Sequence, residues 1–407
     1  MKKIKMGVIG LGKRGKSLSK TIMATGEAEI VAVCDVYSDR VDEVADIILK
    51  VAGNTPKKYY DYNELLSDEN VDAVLISCAW EGHCEVAAAA MYAGKIAAME
   101  VGGAYSVEEC WDLVNAYEKT KTPFMFMENC CYDKFELLTT SLVRAGKLGK
   151  IVHCHGAYSH DLRDEITGGN VNRHYRLRNY TLRNCENYPT HELGPIAKIL
   201  NINRGNRFMS LVSVASKSEG LKEYVQSDKN IDPSLLGVEF KQGDIVSTVI
   251  TCVGGETITL TLDTTLPKYY SREFTVRGTK GLCNQEADMV AIEGECNTHE
   301  YWENCKNSNK YFDYLPKVWQ EITEEAINAG HGGMDFIEFK EFFAAIRENR
   351  EMPLDVYDAA SWMCITALSE ESCAEGGHPK SIPDFTRGKW TCREPRDVME
   401  LPHPEEK

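Results

Sequence analysis

The stretch Lys3-Ile-Lys-Met-Gly-Val-Ile-Gly-Leu-Gly-Lys-Arg-Gly15 decides the fold of the first half of the chain. Its apolar residues predict a buried strand that leads into three spaced glycines and then into a helix. Gly10 permits a tight turn, Gly12 lets the backbone approach a pyrophosphate, and Gly15 lets the helix pack closely on the strand. A pyrophosphate would then lie against the free N–H groups at the positive end of that helix.

A second apolar run, residues 30–34, strengthens this interpretation. It ends in Asp35, twenty residues after Gly15. An acidic side chain at that distance accepts hydrogen bonds from the adenine-side ribose hydroxyls of a dinucleotide. The two features together predict a dinucleotide-binding site. The competing interpretation is a plain glycine turn followed by an ordinary aspartate at a strand end.

Strand and helix patterns go on alternating as far as residue 127. Apolar runs at residues 71–77, 96–101 and 123–127 predict further strands, with helical spacing between them. Residues 1–127 are therefore predicted to form a Rossmann domain, an α/β unit with a doubly wound parallel sheet. The carboxyl ends of such strands face the ligand crevice, which places these candidates beside it: Trp80, His83, Glu100, Val101, Glu128 and Asn129.

The second half of the chain changes its hydrophobic period. Alternating or apolar runs predict strands at residues 151–160, 208–216, 245–252, 256–264 and 272–277. Helical spacing predicts helices at residues 137–145, 190–201, 335–348 and 356–374. We therefore expect an α+β domain over residues 128–382, with a largely antiparallel open sheet backed by helices. Residues 383–407 are expected to pack as an extended tail.

The composition narrows the function classes. A net charge of −16 without a basic patch disfavours nucleic acid and anionic membrane surfaces as partners. No apolar run approaches the roughly 20 residues of a membrane span, and the N-terminus shows no signal-peptide pattern. The 15 cysteines are scattered without a CxxC motif, which predicts reduced thiols and a cytoplasmic location. A redox pair at Cys130-Cys131 is the alternative interpretation of the vicinal thiols.

Tyr158 and His160 are the first candidates for chemistry in the second half. They are two residues apart on a predicted strand, so both side chains point to one face, about 6.6 Å apart along it. His153 and His155 point to the opposite face. We interpret that second pair as structural, and no metal site is expected.

His191 is the second candidate, since Tyr188-Pro-Thr-His191 leads into a predicted helix. A histidine in a first turn, beside the positive end of the helix, tends to be neutral, as a base needs. A satisfied core histidine is the competing interpretation. The arginine-rich segment 173–178 has no apolar period, so it is either a solvated loop or a clamp for a polar substrate. Tyr270 and the segment 331–335 are weaker candidates.

Five segments of the chain resemble one family of enzymes. They are Met127-Glu-Asn-Cys-Cys-Tyr132, Gly156-Ala-Tyr-Ser-His-Asp161, Tyr188-Pro-Thr-His-Glu-Leu-Gly-Pro195, Thr264-Thr-Leu-Pro-Lys-Tyr-Tyr-Ser271 and Gly330-His-Gly-Gly-Met-Asp335. The two-domain layout resembles the glucose–fructose oxidoreductase and inositol dehydrogenase superfamily. Within it, the segments are similar to the NAD-dependent glycoside hydrolases of family 109, typified by α-N-acetylgalactosaminidases. The resemblance covers nearly the whole chain.

The resemblance implies a tightly held NAD with a sugar bound beside it. The implied cofactor contacts are Lys13, Arg14, Asp35, Trp80, His83, Glu100, Val101 and Asn129. The implied sugar contacts are Tyr158, Arg176, Tyr188, Thr190, His191 and Tyr270. Homodimers formed through the open sheet are expected by analogy with the superfamily.

A missing lysine favours the sugar-cleaving branch over simple dehydrogenation. Ordinary dehydrogenases of the superfamily carry Glu-Lys-Pro where this chain has Glu100-Val-Gly-Gly103. The sugar-cleaving branch also lacks that lysine, which implies hydrolysis through oxidation at carbon 3, elimination, water addition and re-reduction. Glu192 follows the histidine where better-known members have glycine, and this departure leaves the substrate open.

We expect His191 to act as the base on the 3-hydroxyl and Tyr158 as a proton shuttle near carbon 2. His160 and Glu128 are the alternatives for these roles, because a sequence gives no distances. Two other function classes stay open. One is an NAD-dependent sugar or cyclitol dehydrogenase or glycoside 3-oxidase, and the other is a non-catalytic nucleotide-sensing protein.

Overall fold

The computed structural model describes residues 3–227, 231–296 and 308–402. Six strands belong to the first domain: β1 (Ile4–Ile9), β2 (Ala28–Cys34), β3 (Lys57–Tyr59), β4 (Ala73–Ile76), β5 (Ile96–Glu100) and β6 (Phe124–Met127). The helices between them are α1 (Lys13–Thr25), α2 (Ser38–Ala52), α3 (Tyr62–Leu66), α4 (Trp80–Tyr92) and α5 (Val107–Thr120). The strands form one parallel sheet in the order β3-β2-β1-β4-β5-β6. The predicted doubly wound sheet is confirmed.

Local sequence signals explain where these helices begin and end. The side chains of α2 that face the core follow the helical period, namely Val41, Val44, Ala45 and Ile48. The helix stops at Gly53, which has a left-handed backbone with φ of 77°. Helix α5 begins at Ser106, whose hydroxyl accepts a hydrogen bond from the Glu109 amide at 3.2 Å.

The second domain has the following elements in chain order. They are a 3-10 helix (Asn129–Tyr132), α6 (Lys134–Arg144), β7 (Ile151–Ser159), α7 (Arg163–Thr167), α8 (Gly169–Asn172), α9 (Arg176–Leu182), α10 (Thr190–Ile199), β8 (Phe208–Ala215), α11 (Gly220–Ser227), β9 (Ile245–Cys252), β10 (Thr257–Asp263), β11 (Thr275–Gly278), β12 (Gly281–Asn284) and β13 (Met289–Ile292). They continue with α12 (Lys317–Gln320), α13 (Glu324–Asn328), α14 (Met334–Glu348), α15 (Val356–Ala374) and β14 (Lys380–Ser381).

The second sheet has eight strands in the order β13-β12-β11-β7-β10-β9-β8-β14. Only the central β7 and β10 run parallel, and the other neighbours are antiparallel, so the predicted largely antiparallel sheet is confirmed. Helices α10 and α15 pack on one face. The other face carries a row of threonines on β10: Thr257, Thr259 and Thr261.

Helices α14 and α15 return from the second domain to the first. Helix α15 lies between α5 and β8 and is buried on nearly every side. A helix that has no polar face is expected to be buried in this way. Helix α14 packs on α1, directly behind the glycine loop. The two domains are therefore joined by α14 and α15, which follow most of the second sheet in the chain. The domain boundaries after residues 127 and 382 stay predictions.

Two sequence predictions were wrong in detail. The strand predicted at residues 272–277 begins only at Thr275, because Arg272 turns into the interior to pair with carboxylates. The arginine-rich segment 173–178 is not wholly a loop: it follows the short helix α8, and its last three residues begin α9, whose buried side is too short to show a period. Among the described residues, no helix combines the length and the apolar character needed to cross a bilayer.

Candidate active site

The glycine loop fits a pyrophosphate, and its three glycines are required for different reasons. A Cβ on Gly10 would lie 2.4 Å from the Cys78 amide nitrogen, and one on Gly15 would lie 1.9 Å from the Gly10 carbonyl oxygen. Both positions are therefore fixed by contacts within the protein. A Cβ on Gly12 would meet only the Arg40 guanidinium, at 3.6 Å. Nothing in the described protein excludes a side chain there, which leaves the space that a pyrophosphate at the start of α1 needs.

Asp35 ties the end of β2 to this loop. Its carboxylate accepts hydrogen bonds from the Leu11 amide at 2.7 Å and from the Tyr37 amide at 3.0 Å. The Arg40 guanidinium lies 3.8 Å away. A carboxylate has about four lone-pair sites, so Asp35 shapes the loop and still has acceptors for ribose hydroxyls. Its contact with the ribose stays a prediction.

Arg14 joins the glycine loop to the second domain. Its guanidinium donates to Glu100 at 3.0 Å and to Asp335 at 2.7 Å. Asn129 donates to the same Asp335 carboxylate at 2.7 Å, and His331 lies 2.8 Å from it. Burial alone would raise the pKa of Asp335, but Arg14 and His331 lower it below its usual range. The predicted cofactor residues Arg14, Glu100 and Asn129 thus share one network at the floor of the crevice.

The other predicted cofactor residues lie at the ends of the Rossmann elements. Trp80 and His83 belong to the first turn of α4 rather than to a loop, since Ala79 already has the extended backbone of a helix cap. His83 is buried against the Cys78 carbonyl at 3.0 Å, and burial lowers its pKa to about 4. Val101 is buried after β5, whereas the Lys13 side chain is mostly exposed. Contacts of these residues with the cofactor stay predictions.

Glu128 and His191 form a buried hydrogen-bonded pair, although 63 residues separate them in the chain. Glu128 follows β6, and His191 lies in the first turn of α10, one residue after the buried Thr190. The Glu128 Oε1 atom lies 2.7 Å from His191 Nδ1 and also accepts the Cys130 amide at 3.1 Å. Burial alone would raise the pKa of Glu128, but the facing His191 outweighs it, and the pKa is lowered.

This pair fixes the tautomer of the imidazole. An ionised Glu128 can only accept hydrogen bonds, so the His191 Nδ1 atom carries a proton and donates it to the carboxylate. In a neutral imidazole the lone pair is then on Nε2, which lies 3.3 Å from the Tyr188 hydroxyl. A histidine held in this way by a carboxylate presents a base to the crevice.

Aromatic rings and one guanidinium line the crevice around that base. The Tyr158 ring lies 4.7 Å from the Tyr188 ring and 5.7 Å from His191. Tyr188 also stacks on Trp80 at 5.1 Å, and the Arg176 guanidinium lies over Trp80 at 4.8 Å. Burial raises the pKa of Tyr158 to about 12. The structure therefore brings together Tyr158, Tyr188, His191 and Arg176, as the sequence predicts.

His160 and Tyr270 lie in a second layer. Their rings are 5.3 Å apart, and His160 is 6.4 Å from the Tyr158 ring. Burial and Arg176 lower the pKa of His160. Tyr270 is half-exposed, and its hydroxyl accepts a hydrogen bond from the buried Arg272 at 2.9 Å. His153 and His155 occupy the opposite face of β7, where they contact Thr257 and Glu273.

Sequence reasoning named Arg176 but missed four groups around the site, namely Glu165, Tyr175, Arg272 and Cys130. The buried Arg176 pairs with Glu165, at 2.9 Å, and the Tyr175 ring lies 4.7 Å from Trp80. Arg272 holds Tyr270, and the Cys130 thiol lies beside Glu128 and His191. Glu165, Tyr175 and Arg272 lie outside the five family segments, whereas the sequence indicates Cys130 only as one half of a vicinal redox pair. The only available signal was their closeness in sequence to residues already chosen, such as Tyr175 next to Arg176.

Helices α7 to α9 cover the crevice from the second domain and contact the Rossmann helices through charged pairs. Arg173 pairs with Asp39 at 2.6 Å, and Arg178 pairs with Glu81 at 2.7 Å. The Arg40 side chain donates to the last carbonyl of α8 at 3.0 Å. These contacts connect α8, α9 and the turn between them to α2 and α4 across the crevice.

Glu192 and Glu186 form a buried acidic pair behind His191. Neither carboxyl group has a hydrogen-bond partner within the described part of the chain. Burial raises the pKa of Glu192 well above its usual range, with the nearby Glu186 adding to the shift, and burial raises the pKa of Glu186 to about 8. Gly156 makes room for this arrangement, since a Cβ there would lie 2.7 Å from the Glu192 Cβ.

Glu192→Gln is expected to stabilise the protein at pH 8 by about 1 kcal/mol or more, and to change little near pH 4. An unfolded glutamate ionises near pH 4.3, whereas the folded protein keeps Glu192 protonated. Above that pH, unfolding of the wild type therefore releases a proton, and its free energy of unfolding falls as pH rises. The amide of the Glu192→Gln variant does not titrate, so the variant does not lose this stability. Urea unfolding at several pH values measures the difference. The exposed Glu69→Gln is the control, and a pH-independent gain for Glu192→Gln would contradict the assignment.

Comparison with known proteins places this site in a family. The family model "Glycosyl hydrolase 109, C-terminal domain" matches residues 132–392, and "Oxidoreductase family, NAD-binding Rossmann fold" matches residues 4–127. An alpha-N-acetylgalactosaminidase of Tannerella forsythia is 37% identical over 96% of this chain and 88% of its own length. A glycosyl hydrolase family 109 protein of Stenotrophomonas maltophilia is 37% identical over 97% and 91%.

Solved structures of sugar and cyclitol dehydrogenases share the fold. A levoglucosan dehydrogenase in complex with NADH and levoglucosan has a TM-score of 0.71 at 19% identity, covering 94% of this chain and 100% of that one. A myo-inositol 2-dehydrogenase from Lactobacillus plantarum has a TM-score of 0.66 at 14% identity, with the same coverage. At such identities these likenesses show the fold alone.

Fold and site together define an enzyme with an NAD-binding Rossmann domain and a second, sugar-hydrolase domain. The chain belongs to glycosyl hydrolase family 109. The resemblance seen in the sequence is thereby confirmed. The alternative function class, a non-catalytic nucleotide-sensing protein, is therefore excluded.

Proposed function

We propose that this protein hydrolyses glycosides of terminal N-acetylgalactosamine or a related sugar, through transient oxidation at carbon 3. Elimination, water addition and re-reduction complete the cycle. The Glu128–His191 pair beside the cofactor crevice carries the proposal, because it supplies a base where the superfamily lysine is missing. The name of the Tannerella forsythia relative supports the substrate class.

The position of Glu128 argues against an ordinary two-carboxylate glycosidase. Such enzymes place two carboxyl groups on either side of the scissile bond to stabilise an oxocarbenium-like transition state. Glu128 is fully buried behind His191 and is engaged with it. It supports the imidazole and does not face the anomeric carbon.

The residues of the crevice divide the proton transfers between them. His191 Nε2 takes the proton of the 3-hydroxyl, while Glu128 stabilises the imidazolium that forms. The chemistry that a bound NAD supplies is oxidation of carbon 3 and its later reversal. A ketone at carbon 3 acidifies the hydrogen on carbon 2, and the Tyr158 hydroxyl carries that proton. Burial raises the pKa of Tyr158 to about 12, so it is a protonated hydroxyl at neutral pH, and its oxygen takes the carbon-2 proton as its own proton passes to the departing glycosidic oxygen.

Arg176 and the tyrosines orient the sugar. The Arg176 Nη1 atom is buried without a hydrogen-bond partner among the described residues, so it is a free donor for a sugar oxygen. Tyr188 covers the ring from the His191 side, and Tyr270 lies at the open edge. Departure of the leaving group from carbon 1 then frees that edge for the water that adds.

Tight retention of NAD follows from the same cycle, since each turnover oxidises and reduces the cofactor once. The contacts of Arg173 with Asp39 and of Arg178 with Glu81 support this, because they close the crevice over the cofactor domain. NAD in preference to NADP is supported by Asp35, whose negative charge disfavours a 2′-phosphate.

A homodimer formed through the open face of the second sheet belongs to the same proposal. Val214 on β8 and Val249 on β9 lie on that face and are 52% and 43% exposed. Apolar side chains on an uncovered sheet favour burial against a second copy. Sedimentation equilibrium should give twice the chain mass of 45.7 kDa; a monomer at all concentrations would contradict it.

Hydrolysis by dialysed protein without added NAD tests the proposal. Nitrophenyl α- and β-N-acetylgalactosaminides should be cleaved with no net change in bound NADH. In deuterated water the product should carry deuterium at carbon 2, since elimination exchanges that hydrogen with solvent. Stoichiometric NADH formation without cleavage would identify a sugar dehydrogenase instead, and cleavage without deuterium would exclude the elimination step.

A further inference from the structure

Three side chains with different ligand atoms converge beside the imidazole of His191. A carboxylate oxygen of Glu128, the Sγ of Cys130 and a ring nitrogen of His191 all lie within 4.8 Å of one another. Glu128 and Cys130 are fully buried, and His191 is only 14% exposed. Cys130 is held near the carboxylate through its own amide, which donates to Glu128 Oε1 at 3.1 Å.

This set of ligand atoms suits one class of cation. Thiolate, imidazole and carboxylate are the ligands of Zn²⁺, with bonds of about 2.3 Å to sulfur and about 2.0 Å to nitrogen or oxygen. Tetrahedral ligands at those bond lengths lie about 3.3–3.6 Å apart, which side-chain movements of about 1 Å achieve here. Mg²⁺ and Ca²⁺ prefer oxygen ligands and do not match a thiol and an imidazole.

We propose that Glu128, Cys130 and His191 form a binding site for a thiophilic divalent cation such as Zn²⁺, and that its occupancy inactivates the base. Binding itself does not depend on the proposed glycosidase activity, whereas the inhibition rests on the role proposed for His191. No catalytic part is assigned to the cation.

The charges and protons of this binding step balance. Cys130 loses its thiol proton to solvent and becomes a thiolate. The two positive charges of the cation are then matched by that thiolate and by the Glu128 carboxylate. His191 stays neutral, but its proton moves from Nδ1 to Nε2 as Nδ1 takes the metal. The lone pair that serves as base is lost.

The neighbouring cations do not oppose binding strongly, because each is already paired. Arg272 lies against Asp133 and Glu136, and the Arg176 guanidinium pairs with Glu165. The Cys130 thiol has a weak present partner, the Asn129 side-chain oxygen at 3.5 Å. Formation of a sulfur–metal bond breaks this one weak hydrogen bond, while coordination of Nδ1 replaces the 2.7 Å hydrogen bond between His191 and Glu128 by bonds of both groups to the cation.

Titration of the full-length protein with Co²⁺ tests the binding independently of activity. Cobalt–thiolate charge transfer should appear in the near ultraviolet and saturate at one Co²⁺ per chain, and Zn²⁺ should displace it. Cys130→Ala should remove the band and weaken Zn²⁺ binding by at least about 100-fold, since even changes outside the ligand sphere cost about 10- to 100-fold. The protein carries Cys392→Ser throughout, because that thiol is exposed.

Cys131→Ala is the matched control. Cys131 is adjacent and equally buried, but it is not part of the cluster, so its variant should keep the band. If Cys130→Ala does not fold, Cys130→Ser and His191→Gln, checked by circular dichroism, decide the same question. A band that survives in a folded Cys130 variant overturns the site. If the charge-transfer band saturates at one Co²⁺ per chain but glycoside cleavage is not lost, the proposed inhibition is overturned. If the wild type cleaves no glycoside, the band still shows whether the cation binds.

Discussion

His191→Ala is expected to lower kcat for glycoside cleavage by about 10²- to 10⁴-fold, the range associated with loss of a general base. The imidazole is the group that its contacts prepare for proton transfer, since Glu128 holds Nδ1 at 2.7 Å and leaves the Nε2 lone pair to the crevice. Binding of the sugar should suffer less, because Arg176 and the tyrosine rings are unchanged. KM is therefore expected to change by less than about tenfold.

His160→Ala is the matched control for this prediction. His160 lies in the second layer, with its ring 6.4 Å from Tyr158, and its loss should cost less than about tenfold in kcat. Near-ultraviolet circular dichroism and bound NAD content verify that both variants are folded. A larger loss for His160→Ala than for His191→Ala would exchange the roles of the two histidines. Nitrophenyl glycoside assays measure both.

Glu128 is assigned a positioning role, and sequence alone did not separate this from direct catalysis. The residue was an alternative base because it follows a strand end of the Rossmann sheet. The structure shows it pointing at an imidazole that is 63 residues away in the chain. No local pattern encodes that distance, since it depends on how α10 packs against the 3-10 helix after β6.

The Rossmann domain, by contrast, was predictable because its signals are local. Strand periods, helix caps and the spacing from Gly15 to Asp35 all lie within short windows of sequence. The strands predicted at residues 71–77, 96–101 and 123–127 correspond to β4, β5 and β6 to within a few residues, whereas the short β3 and α3 were not predicted. The second domain was predictable as a class, but Arg272 shows the limit. Its burial against Glu136 ends a strand pattern that the local alternation would have continued.

The covering helices α7 to α9 were the least predictable part of the site. Their residues are polar because they contact charged groups of the first domain, as Arg173 contacts Asp39. A polar segment that faces solvent and one that faces a charged partner have the same composition. The three-dimensional contacts show that Arg173 and Arg178 pair with Asp39 and Glu81 of the first domain, while a clamp on a polar substrate stays a prediction.

Gly12→Ala is expected to weaken NAD binding by about 10- to 100-fold while leaving the fold of the cofactor-free protein intact. Gly12 has φ of −63° and ψ of −170°, an extended conformation that alanine adopts freely. The added methyl group would meet only the Arg40 side chain, at 3.6 Å. It would, however, occupy the space proposed for the pyrophosphate. Overpacking of this kind costs about 1–3 kcal/mol, which corresponds to that change in Kd.

Gly15→Ala provides the contrast, with the same methyl group three residues further along. There the Cβ would lie 1.9 Å from the Gly10 carbonyl oxygen and 2.7 Å from the Ser77 hydroxyl, so the cofactor-free protein itself should lose stability. Thermal unfolding with and without NAD separates the two effects. Gly12→Ala should keep the Tm of the free protein and lose most of the upward shift that NAD produces, whereas Gly15→Ala should lower both values. If NAD raises the Tm of Gly12→Ala as much as that of the wild type, the pyrophosphate does not bind at this loop, because only a bound group makes a glycine necessary at position 12.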